Sequence, residues 1–372
     1  MNILILGNGF DLAHGLPTRY TDFLAYCRDT ISTSNSGAQI SKSENVNREF
    51  LALITDNVWL SYFLKKTPDL DANKTWIDFE IEISTAIIDL CNKAFTASRK
   101  STNARGINQH IENIKIQEHF GRFVCFENNR LTYKTLELFK ELQKFTNALG
   151  IYFCEKAQAA NSRNNFNFNE DILLSYFEEE KVNTYIVSFN YTRTFEHLYD
   201  VTQNEDNKID YNYVFLHGES NIDYLKQGED AENFLTNNLV LGTHSFTRED
   251  NKTVIPVGFN IFQKHNQQHK YNTLFDYQNL LKELRGYCKP VNIFVVGHSL
   301  EKSDHAKLKI LLCECKTADI TVYYHDEASF EKYIDNLTEI LGEEDVAARV
   351  KFRHQHDGTF GILRQPSEDG AD

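Results

Sequence analysis

The 372-residue chain lacks most of what would place it in a membrane, outside the cell or on nucleic acid. No apolar run approaches the roughly 20 residues that a bilayer-spanning helix needs. No basic region precedes the first apolar run, which is cut short by Gly7-Asn8-Gly9, so no secretory leader is expected. A basic surplus is missing as well. The 39 Lys and Arg face 53 Asp and Glu, a net charge of -14, which argues against a general nucleic-acid surface and leaves only a local basic patch open. There is no C-x-x-C pair. The seven Cys are scattered, only Cys313 and Cys315 being close, so no zinc set forms and the thiols read as those of a reduced, cytoplasmic protein. Methionine is nearly absent too. One Met against 27 Phe and 18 Tyr predicts a stiff, aromatic-rich interior.

What is present is a series of short, continuous apolar runs. Asn2–Leu6, Thr184–Ser188, Tyr213–Leu216, Leu239–Leu241, Ile293–Val296 and Thr321–Tyr324 read as strands covered on both faces. Helix-like segments lie between them, such as Leu136–Phe153 with its apolar stripe. Alternation of the two predicts an α/β fold with a parallel sheet. The stretch between the first and second runs reads as mainly helical, with polar connectors at Ser32–Glu44 and Ala97–Arg105. The expected division is a core of residues 1–30 and 183–364, a helical insertion of 31–182 and a polar tail of 365–372.

Four runs end in residues that could carry chemistry. After the first comes Gly7-Asn8-Gly9-Phe10-Asp11, then Gly15-Leu16-Pro17, a turn suited to close backbone approach ahead of a helix. It is not the common dinucleotide fingerprint, whose third Gly would fall on Leu12. After the second comes Asn190, placed either to cap the next helix or to orient a hydroxyl or water. After the third comes His217-Gly218, either a structural hydrogen-bonder or a base that works near neutral pH. After the fifth comes Gly297-His298-Ser299 with Asp304 beyond, where G-x-S-x-G fails because Glu301 stands in the last place. Two further features stand apart. Asp78, Glu80 and Glu82 share a face on a strand, or pair at i,i+4 on a helix; they are a solvated face or carboxylates that enter a pocket. Lys264 and Gln267 suit a phosphate better than His265 and His269 suit a metal, so no metal is expected.

The motif "GNGFDLAHGLP", with "SFNYT", "LHGE" and "VVGHSLEKSD" in that order, resembles the sirtuin-like NAD-binding fold. The resemblance implies a Rossmann-like core with NAD as substrate or ligand. It sets Gly7, Asn8, Gly9, Phe10, Asp11, Gly15, Pro17, Gly218, Gly297, His298, Ser299 and Asp304 against the dinucleotide, with Asn190 and His217 as catalytic residues. Asp78 and Glu80 lie outside that pattern and are expected as further catalytic carboxylates. The chain departs from the pattern twice, with Asp11 where Ser is usual and Thr192 where the Asp of a related "TNYD" segment stands. Across Met1 to about Leu312, "LILGNGFDLAHGLPTRYTDFL", "NVWLSYF", "TWIDFEIEI", "SFNYT", "HGE", "LGTH" and "FVVGHSL" together resemble the bacteriophage abortive-infection AbiH family. That implies phage defence and a phage-derived trigger, and is compatible with a homo-oligomer. Three functions remain open on sequence: NAD hydrolysis, nucleotide sensing without catalysis, and a metal-dependent nuclease toxin.

Overall fold

The computed structural model describes residues 1–35, 44–68, 77–100, 104–128, 130–157, 183–199, 211–220, 238–246 and 255–354. The tail of 365–372, Trp76, and the middles of both polar connectors lie outside these. The chain divides into two compact units. One holds Met1–Thr18, Tyr152–Ile222 and Asn272–Asp372; the other holds Arg19–Ile151 and Asp223–Tyr271. Among the described residues no helix is long and apolar enough to cross a membrane.

The first unit is built on a six-stranded sheet. Its strands are β1 (Asn2–Leu6), β4 (Thr184–Ser188), β5 (Tyr211–Phe215), β6 (Asn292–Val296), β7 (Asp319–Tyr324) and β8 (Val350–His354). They lie in the order β5-β4-β1-β6-β7-β8, and every pairing is parallel. All five residues of β1 and of β4 are buried, which is why both read as unbroken apolar runs. The edge strands differ. β8 alternates half-buried Val350, Phe352 and His354 with exposed Lys351 and Arg353, a charged edge that resists pairing with another chain. On one side, Ile3, Ile5, Val187, Ile293, Val295, Ile320 and Val322 pack with Leu280, Leu284, Leu308, Leu312 and Leu337 from the helices Phe275–Gly286, His305–Glu314 and Glu327–Leu341.

The second unit is mainly helical, with a two-stranded hairpin of β2 (Val124–Glu127) and β3 (Arg130–Tyr133). Its interior is aromatic: Phe63 stacks on Phe79 at 4.3 Å, and both meet Phe145 at about 5 Å. Asn57 caps the helix Val58–Lys66 by accepting from the Trp59 and Leu60 amides. The run Leu239–Leu241 belongs here and is not a strand, contrary to expectation. It is buried, and at Leu241 the Gln267 side chain stands in for a neighbouring strand, accepting from the Leu241 amide at 3.2 Å and donating to the Leu241 carbonyl at 2.9 Å. A side-chain amide satisfies the buried backbone in place of a neighbouring strand.

Candidate active site

The register of the sheet brings four turns abreast. Leu6 pairs with Ser188 and Val296, and Ser188 with Phe215, so the chain leaves β1, β4, β5 and β6 at one edge. The ladder runs one step further: Gly7 N–H donates to Val296 O, Phe189 N–H to Leu6 O, and Leu216 N–H to Ser188 O. Gly7, Asn190, His217 and Gly297 therefore belong to adjacent turns of one unit.

The glycines are needed for contact between those turns. A Cβ on Gly7 would lie 2.4 Å from the His298 Cα, and one on Gly9 2.8 Å from the Gly297 carbonyl oxygen. Gly297 has φ +64° and faces the other way, where a Cβ would lie 2.0 Å from the Phe10 nitrogen. The Gly9 amide donates to the Gly297 carbonyl at 2.8 Å, and the Phe10 amide to the Gly7 carbonyl at 2.9 Å. What the first glycine pair approaches in this structure is the turn after β6.

A buried polar cluster fills the space beside this contact. Asp11, on the short helix Asn8–Ala13, is 1% exposed. It accepts from the Asn190 amide at 3.0 Å and from the Thr192 hydroxyl at 2.5 Å. Burial pushes the Asp11 carboxyl up to about 7, against the hydrogen bonds from Thr192, Thr194 and Asn190, which pull it down. A bond thus joins positions 11 and 192, the two at which the sequence departs from the sirtuin-like pattern. Asn190 also donates to the Gly7 carbonyl at 3.0 Å. Its amide nitrogen is thus committed to these two acceptors, and its Oδ1 is buried and makes no hydrogen bond.

The rings of His217 and His298 both pack edge to face with that of Phe189, with centres 5.4 and 4.1 Å from it. His217 Nε2 is 3.2 Å from Asp304 Oδ1, and His298 Nε2 is 3.7 Å from Asp304 Oδ2. The turn that carries His298 is strained. Leu300 is fully buried at φ +55°, a region disfavoured for a branched side chain. Two histidines hold it: the Leu300 amide donates to His298 Nδ1 at 2.9 Å, and His305 Nε2 meets the Leu300 carbonyl at 2.8 Å.

The other expected residues fall in varied settings. Phe10 is fully buried against the rings of His14 and Phe195. Asn8 Oδ1 accepts from the Thr18 hydroxyl at 2.6 Å, and the Pro17 carbonyl from the Tyr152 hydroxyl at 2.8 Å. Gly15 and Gly218 take φ of +73° and +79°. Ser299 is exposed, and its carbonyl accepts from Asn336. Asp78, Glu80 and Glu82 lie in the second unit, where the helical alternative holds. Asp78 caps the helix Phe79–Arg99, accepting from the Glu80 and Ile81 amides. Glu80 pairs with buried Lys264 at 2.5 Å, and Glu82 accepts from the Tyr62 hydroxyl at 2.9 Å. Lys264 and Gln267 are thus engaged within the protein, and the His265 and His269 rings pack edge to face at 4.4 Å. Among the described residues no group of three or more His, Cys, Asp or Glu is placed to hold a metal.

The model of a family described as bacteriophage abortive infection AbiH matches residues 3–326. The chain belongs to the AbiH family. The match covers every turn described above, and the family's description points to a role in defence against phage. No curated protein matches the chain. Sequence reasoning noted Thr192 but passed over Thr194, whose hydroxyl donates to that of Thr192 at 3.0 Å beside Asp11, and Arg193, which joins Glu219 at 2.7 Å and Glu196 at 2.5 Å beside the His217-Gly218 turn. The signal was present in "NYTRTFE", where two hydroxyls and a cation crowd a single strand end.

Proposed function

We propose that this AbiH protein is an NAD glycohydrolase of phage defence, cleaving NAD to nicotinamide and ADP-ribose in infected cells. The observation that carries the reading is the meeting of Asn190, His217 and the Gly7–Gly9 turn at one edge of a parallel sheet. Numbered by chain order, the six strands lie 3-2-1-4-5-6, an order that supports a Rossmann-like, sirtuin-related core. In such sheets ligands lie beyond the carboxyl ends of the strands, where the order reverses. Here the reversal falls between β1 and β6, beside Gly7, Gly9 and Gly297.

In the proposed reaction, water adds to C1′ of the nicotinamide ribose and the C1′–N bond breaks. The bond electrons leave with nicotinamide, and the proton of the water passes to His217. The unbonded Asn190 Oδ1 accepts a hydrogen bond from that water or from a ribose hydroxyl. Ionised Asp11 favours the positive charge that builds on the sugar. Asp78 and Glu80 are committed to a cap and an ion pair, and no step is assigned to them.

The test is incubation of the purified chain with NAD, followed by chromatography of the products. Equal amounts of nicotinamide and ADP-ribose are expected. One observation favours a nucleotide sensor instead: the amides of Gly7, Gly9 and Phe10 already donate to protein carbonyls, which leaves fewer donors for a pyrophosphate. Retention of NAD with no nicotinamide released, even with infected-cell extract added, would decide for that reading.

A further inference from the structure

Asp304 precedes the helix His305–Glu314, where an aspartate ordinarily caps the helix by accepting from its first amides. It does not do so here: its side chain makes no capping bond. The carboxylate is turned away from those amides and toward two imidazoles, with its side chain 13% exposed and that of His217 8% exposed. A carboxylate that forgoes a cap and accepts burial needs another partner. The partners in view are His217 at 3.2 Å and His298 at 3.7 Å.

We infer that Asp304 is the positioning residue of His217, fixing which ring nitrogen carries the proton. The inference rests on the proposed role of His217 as base. The atom facing Asp304 is Nε2, so in the neutral ring the proton sits on Nε2 and donates to the carboxylate. Nδ1 is then the nitrogen without the proton, the state that the proposed base requires. His298 has the same tautomer for a different reason. Its Nδ1 accepts from the Leu300 amide, which leaves the proton on Nε2, facing the second carboxylate oxygen. One carboxylate thus bonds the Nε2–H of His217 and faces that of His298 at 3.7 Å, and the strained turn from Gly297 to Leu300 sets the second ring. A carboxylate that orients an imidazole and stabilises the imidazolium formed during reaction is an established catalytic arrangement. Nothing in the run from Gly297 to Asp304 announced it, because His217 lies on another strand end.

The experiment is nitrogen NMR of the chain labelled at histidine, without NAD, for wild type, Asp304→Asn and Asp304→Glu, with His217→Gln to assign the signal. NAD turnover is measured on the same preparations. The expected result is an Nε2–H ring at His217 in wild type, a changed tautomer mixture in Asp304→Asn, and return toward wild type in Asp304→Glu. kcat should fall about 10²-fold or more in Asp304→Asn, with KM little changed. Should Asp304→Asn fail to fold, the wild-type tautomer and the Asp304→Glu spectrum still decide. An Nδ1–H ring in wild type, or an unaltered His217 signal in Asp304→Asn, overturns the inference. If the signal changes as expected while wild type releases no nicotinamide, the pairing stands and the NAD reading fails.

Discussion

Replacing Asp11 by Asn removes a buried titratable group while keeping its shape. The amide oxygen can accept from Asn190 and the amide nitrogen can donate to the Thr192 hydroxyl, so the cluster stays bonded. The folded carboxyl titrates near 7 against 3.8 in the unfolded chain. The folded state therefore holds more protons across that interval, and stability falls as pH rises through it. At about 1.36 kcal/mol per pH unit the full loss is about 4 kcal/mol, and about 2–3 kcal/mol of it falls between pH 5 and pH 8. The Asp11→Asn variant has no such titration. Urea unfolding of both proteins at pH 5 and pH 8 should show the stability of the variant, relative to wild type, rising by about 2–3 kcal/mol between the two pH values. Taking the difference cancels the histidines common to both. A difference that stays constant within about 0.5 kcal/mol would show that Asp11 does not titrate in this window.

Gly297→Ala combines a positive φ with a Cβ placed 2.0 Å from the Phe10 nitrogen, and should cost about 2–5 kcal/mol in a denaturant titration; a loss below about 1 kcal/mol would mean the turns are not in this contact. Asp11→Ser strands the Thr192 hydroxyl, and Thr192→Asp adds a second buried carboxylate, so each alone should destabilise by at least about 1–3 kcal/mol. The double exchange should recover part of that, and strictly additive losses would show that positions 11 and 192 are not coupled. Asn190→Ala should lower NAD turnover by about 10²-fold or more, and combined with His217→Ala should lose less than the product of the single effects, as groups acting on one water do; fully multiplicative losses would separate their roles.

The parallel sheet was legible because its central strands are buried on both faces and so carry unbroken apolar runs. β8 was not, since an edge strand with Lys351 and Arg353 on its open side shows only weak alternation. Leu239–Leu241 misled for the complementary reason. Its apolar character reports burial, and at Leu241 a side-chain amide elsewhere in the chain supplies the bonds that a strand would have made. The turns of the site were legible as glycine, asparagine and histidine at strand ends. Their partners were not. Sequence shows where a residue leaves a strand, whereas the bonds of Asp11 to Thr192 and of His217 to Asp304 depend on which strand ends lie side by side. The acidic segment was ambiguous because its alternation fits a strand as well as a helix, and the Asp78 cap settles it as a helix.

The central claim is that the residues gathered at the strand ends cleave NAD, with His217 as the base. Its most direct test is nicotinamide release and NAD binding measured on the same preparations of wild type and His217→Ala. Trimming one strand-end side chain leaves the sheet intact, so the account predicts a folded variant that binds NAD with little change and releases nicotinamide about 10²–10⁴-fold more slowly. Equal release by the two proteins, or none by wild type, would contradict it.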